Sequence, residues 1–72
     1  MRKVIRNRAG LYWKGDGSWT ADWEQAENFA DTQKAIFAKE NQHLEGVDLV
    51  ILVNDKPSRE YDVVLPLKDA RP

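Results

Sequence analysis

The chain predicts an α+β fold: a small antiparallel sheet, formed by an N-terminal meander and a C-terminal hairpin, packed on one main helix with a short helical turn before it. Three observations carry this expectation. The first twenty residues alternate short apolar runs with Gly10, Gly15 and Gly17. Residues 32–45 contain neither proline nor glycine. Residues 47–53 (VDLVILV) are rich in β-branched side chains and place Val47, Leu49, Ile51 and Val53 on one face by simple alternation.

In chain order, Val4 and Ile5 mark a strand over 3–7. Asn7-Arg8-Ala9-Gly10 suits a type I turn, with Asn first and Gly fourth. A second strand over 11–14 and a third over 18–20 flank Gly15-Asp16-Gly17, residues that accept positive φ at low cost and so fit a hairpin. Asp22 followed by Gln25 has capping-box spacing for one or two helical turns over 23–27, which would set Trp23, Ala26 and Ala30 on one face.

Asp31 or Thr32 can cap the main helix over 32–45, with Gly46 as its stop. Its apolar stripe is divided: Ile36, Phe37 and Leu44 define one face, and Ala35, Ile36 and Lys39 a neighbouring one. Ile36 belongs to both and is expected to be buried. The strand over 47–53 is expected at the centre of the sheet, because its apolar run is nearly continuous. A turn over 54–59 leads to a last strand over 60–65 with Tyr61, Val63 and Leu65 on one face. Pro66 cannot donate to a ladder, so this strand belongs at an edge. The expected core draws on Val4 or Ile5, Trp13, Trp19, Trp23, Phe29, Ile36, Leu44, Leu49, Ile51, Val63 and Leu65.

Seventy-two residues with no cysteine bound the problem. They make one domain, expected over 1–67 with a polar tail over 68–72, and at this size a single core is marginal. Disulfides and thiolate metal sites are excluded, and a reducing, cytoplasmic setting is the default. No apolar run reaches the ~18 residues of a membrane span, and no signal-peptide pattern follows the N-terminal charges. The net charge of -1 is unevenly spread: residues 1–15 hold five bases and no acid, and the remainder holds six bases and all twelve acids.

The inventory for catalysis is thin. His43, the sole histidine, falls in the last turns of the expected helix, where a cation meets the negative end of the dipole. Ser18 and Ser58 sit in turn contexts, where a hydroxyl bonds nearby backbone. Asp16-Gly17-Ser18 with Glu27 superficially matches a calcium loop, but Trp19 and Trp23 occupy positions between them that such a loop gives to oxygen-bearing or small residues. Asp22, Glu24 and Glu27 more simply favour the start of a helix. Gly15 and Gly17 lack the Lys and Ser/Thr of a phosphate cradle. No catalytic, cofactor or metal site is therefore expected, and no small-molecule substrate.

The run Leu11-Tyr12-Trp13, then Gly17-Ser18-Trp19-Thr20, Trp23, Ala26, Phe29 and Ala35 resembles a pattern in short uncharacterised bacterial and phage-borne proteins, in which a YW-turn-GxW(T/S) hairpin precedes an AxxF segment and a helix. It covers roughly residues 10–36. The resemblance implies the same α+β fold and an origin in mobile elements or accessory genes, and it carries over no catalytic residue.

Two modes of action remain. Val50 and Leu52, joined by Val64, lie on the sheet face that a single helix leaves over, so either a protein partner or a second copy covers them, or the meander or the short helical turn folds across. The leading expectation is a non-enzymatic protein-interaction or accessory module using Val50, Leu52 and Val64. The alternative is a nucleic-acid-binding accessory protein in which Arg2, Lys3, Arg6, Arg8 and Lys14 form a basic track beside an outward-facing Tyr12.

Overall fold

Val4 and Ile5 are adjacent, and adjacent side chains of an extended strand point to opposite faces, so the strand that holds them needs cover on both sides. The structure, a computed structural model that describes residues 1–58 and 60–67, provides it. Strand β1 (Arg2–Asn7) pairs antiparallel with β4 (Val47–Leu52) from Arg2↔Leu52 to Asn7↔Val47, and these two form the middle of a five-stranded sheet. On one side β2 (Tyr12–Trp13) and β3 (Trp19–Thr20) complete the meander; on the other, β5 (Val63–Pro66) pairs antiparallel with β4. The order is β3-β2-β1-β4-β5, so the expected meander and hairpin are joined through β1 and β4.

The turns follow local chemistry. Asn7 accepts the Ala9 and Leu11 N–H groups through its Oδ1, and Gly10 takes φ +86° to close the first turn. At the hairpin tip Gly15 and Gly17 both adopt φ +91°, and Asp16 Oδ1 accepts from the Ser18 N–H and hydroxyl. Gly15 is also constrained by space: a Cβ there would lie 2.7 Å from Glu27 Oε2.

Two clusters fill the two faces. On the first, helix α1 (Thr32–Asn41) sets Ala35 over Ile5, Trp13, Phe29, Val47 and Leu49, with Trp19, Ala38, Leu44 and Leu67 at the margin. The Trp13 and Trp19 rings meet edge to face with centroids 5.2 Å apart. On the second, Val4, Tyr12, Ala26, Val50 and Leu52 pack together with Trp23, from a 3₁₀ turn (Trp23–Gln25), against them.

Helix α1 is shorter and turned differently from the expected helix. Asp31 caps it by accepting from the Lys34 N–H, as one of the two candidates should. It stops at Asn41 rather than near residue 45, because His43 adopts φ 55° and the chain closes on itself: the Leu44 N–H donates to the Lys39 carbonyl and the His43 N–H to the Glu40 carbonyl. These two bonds make a Schellman motif, with His43 in the position that glycine usually takes. Ile36, expected to be buried, is instead exposed, and Phe37 beside it is 68% exposed. The residues turned inward are Ala35 and Lys39. The sheet side of this interface already carries Trp13 and Phe29, so close approach of the helix requires small residues.

Strand β4 is central and β5 lies at the edge, as expected, but Val63 and Leu65 do not join the core; with Val53 and Tyr61 they are exposed. Trp19 and Trp23 are half-buried rather than central. The tail expected over 68–72 lies outside the described residues. Among the described residues no helix is long and apolar enough to cross a membrane.

Candidate interaction surfaces

The second sheet face closes from within. The N–H groups of Glu27 and Phe29 donate to the carbonyls of Trp13 and Lys3, at 2.9 and 2.8 Å, so the chain after the 3₁₀ turn runs along the free edge of β1 beyond the short β2. Asn28 Oδ1 accepts the Lys3 N–H in the same stretch. This docking lays Trp23 and Ala26 across Val4, Val50 and Leu52. Val50 and Leu52, expected on an open patch, are therefore fully buried within the chain itself. Of the expected interface only Val64 is at the surface. The alternative in which the short helical turn folds across this face is the one the structure adopts.

The basic residues do not converge. Strand alternation sends Lys3 to the α1 face and Arg2 and Arg6 to the other. Arg2 is occupied: its Nη2 donates to the carbonyls of Trp23, Glu24 and Ala26, and its guanidinium lies over the Trp23 ring. Arg6 stands across from Asp48 in the β1–β4 ladder. Arg8 belongs to the first turn, where its side chain lies against Gly46. Tyr12, expected to face outward beside Lys14, is buried in the second cluster. A buried ring offers no platform for a base, and a track split between two faces does not follow one phosphate backbone.

The candidate chemical groups are held by local structure. His43 forms the helix stop described above. Ser18 donates to Asp16, and this hydrogen bond, ahead of the nearby Lys14 charge, holds the Asp16 carboxyl below its ordinary value of 3.8. The Ser58 N–H donates to Asp62 Oδ2 in the loop before β5. Among the described residues no group of three His, Cys, Asp or Glu side chains is placed to hold a metal ion.

Two surface features leave no signature in the sequence. An open cleft of about 340 Å³ lies between α1 and the hairpin, with Trp13, Phe29 and Phe37 as walls and Glu27, Lys34 and Gln42 among its polar residues. Its aromatic walls come from three elements, so no single motif announces it. The other feature is β5. Val63, Val64 and Leu65 are 43%, 43% and 40% exposed, so both faces of the strand are partly open to solvent, and one of its long edges has no neighbour among the described residues. The opposite edge strand, β3, is only two residues long. Comparison with family models, with curated proteins and with solved structures found no match to this chain.

Proposed function

We propose that the protein is a non-enzymatic interaction module that docks protein partners through β5. The observation that supports this reading is the contrast between β5 and the rest of the sheet. Val4, Ile5, Leu49, Val50 and Leu52 are all sealed beneath α1 or the 3₁₀ turn, whereas Val63, Val64 and Leu65 are partly exposed on both faces of a strand whose outer edge has no neighbour among the described residues. Exposed apolar strand edges attract another strand, and native proteins blunt them with charges, bulges or proline. Here the stretch from Val63 to Leu65 carries no charge, and only Pro66 limits it.

The mode of binding follows from the strand. Main-chain hydrogen bonds along the edge give affinity, and flanking apolar side chains select a segment with matching residues. Immobilised native chain and a Val64→Lys chain should be compared as baits in matched cell lysates. A partner held by the native bait and lost from the Val64→Lys bait supports the proposal; a native chain that retains nothing and remains monomeric contradicts it.

A further inference from the structure

The cleft between α1 and the hairpin is bounded along the helix by one stripe. Lys34, Phe37, Ala38, Asn41 and Gln42 recur at spacings of three and four and so share a face. The rest of the lining is Gly15, Glu27 and the buried rings of Trp13 and Phe29. Ala38 is too short to fill the space beside those rings, and Phe37 leaves most of its own ring to water. The charges around Phe37 are unequal. Glu27 lies against the hairpin tip, where its Oε2 is 2.7 Å from the place a Cβ of residue 15 would take. On the far side of Phe37 a second groove, of about 250 Å³, holds Glu40 with Gln33 and Ile36. Phe37 thus stands between two carboxylates, and Lys34 is the one base among the described residues that line either groove. Among the described residues none of these three side chains enters an ion pair. Asn41 and Gln42 add the negative end of the α1 dipole.

We infer that this cleft receives an arginine side chain of a protein partner. Aromatic faces carry negative potential and attract cations, and two carboxylates against one ammonium act in the same direction. Among cations, arginine fits the lining best. Its flat guanidinium stacks on a ring, its fork meets a carboxylate at two points, and its aliphatic stem lies along apolar surface. The molecule already makes this pairing internally, with the Arg2 guanidinium 5.6 Å from the centroid of the Trp23 ring. The cleft is open, which suits a side chain carried on another chain; sites for free small ligands commonly enclose about 70–90% of the ligand surface. No β5 residue lines it, so the inference stands apart from the reading of β5 as a docking strand.

The test is an NMR titration of the native chain with end-blocked tripeptides that carry arginine, lysine or citrulline between two alanines, and with tetramethylammonium. The Trp13 indole and the amides of residues 34–42 are the reporters. The arginine peptide should shift these signals with roughly millimolar affinity. Citrulline keeps the shape of arginine without its charge, so its peptide should bind about three- to thirtyfold more weakly. Glu27→Gln and Phe37→Ala should each weaken the arginine peptide by about two- to fivefold, and Lys34→Ala should strengthen it by a similar factor. All three residues are exposed, so the variants should keep the native circular dichroism. The sign of the Lys34→Ala effect separates a cationic occupant from an anionic or zwitterionic one. Equal affinity for the arginine and citrulline peptides, tighter binding of the lysine peptide or of tetramethylammonium, or weaker binding by the Lys34→Ala chain overturns the assignment. So does the absence of any shift with the arginine peptide at tens of millimolar.

Discussion

The guanidinium of Arg2 lies 5.6 Å from the centroid of the Trp23 ring and donates to the carbonyl of the same residue. Two more carbonyls, of Glu24 and Ala26, accept from the same nitrogen. One side chain at the start of β1 thereby gathers the carbonyl groups of the 3₁₀ turn and fastens that turn over Val4, Val50 and Leu52. A basic residue that reads in sequence as part of a solvated or phosphate-binding rim serves here as a clasp between distant parts of the chain.

Arg2→Ala should therefore destabilise the fold by about 1–3 kcal/mol, the range for hydrogen bonds to a charged group with a cation–π contact added. Arg2→Lys should recover only part of this, since an ammonium cannot offer the same planar fork. Chemical denaturation with Trp fluorescence measures both. Equal stability of the native and Arg2→Ala chains would show that the turn holds its place without the clasp.

Truncation separates buried from open apolar residues. Leu52→Ala should cost about 2–5 kcal/mol, as for a fully buried leucine, whereas Phe37→Ala on the outer side of α1 should stay within about 0.5 kcal/mol. Similar costs for the two substitutions would contradict the placement of Leu52 under the 3₁₀ turn.

Much of this architecture is legible in the sequence. The alternation of residues 47–53, the glycines of the hairpin and the Asp31 cap each place an element, because each rests on a rule a few residues long. The orientation of α1 is not legible, since Ile36 and Phe37 are adjacent and the choice between them and Ala35 depends on how much volume Trp13 and Phe29 occupy across the interface. The closing of the second face is equally non-local: it depends on Arg2 meeting Trp23, twenty-one positions away. For that reason Val50 and Leu52 read in sequence as a docking patch, while Val63 and Leu65 of the exposed strand read as core.

The end of α1 gives a stabilising prediction. His43 at φ 55° pays the steric penalty of an L-residue in the left-handed region, which glycine does not. His43→Gly should raise stability by about 1 kcal/mol in thermal or chemical unfolding. A loss of stability would mean that the imidazole has a contact worth more than the backbone strain.

The hairpin tip has its own pH signature. Asp16 is held below 3.8 chiefly by the Ser18 hydroxyl, so its contribution to stability is fully present above that value and is lost as pH falls through the lower, folded-state value. Ser18→Ala should move the Asp16 titration, followed by carboxyl NMR shifts, upward toward the ordinary value. No movement would assign the shift to other groups at the tip.

Amide hydrogen exchange along β5 tests the open strand most directly, because it reads each N–H separately. In the free chain Val63 and Leu65, whose N–H groups face β4, should be protected and Val64 should exchange freely; when a partner held by the native bait is added, protection should appear at Val64 while the other two change less. Protection of Val64 in the free chain, or its continued free exchange with that partner bound, would contradict the assignment of β5 as the docking strand.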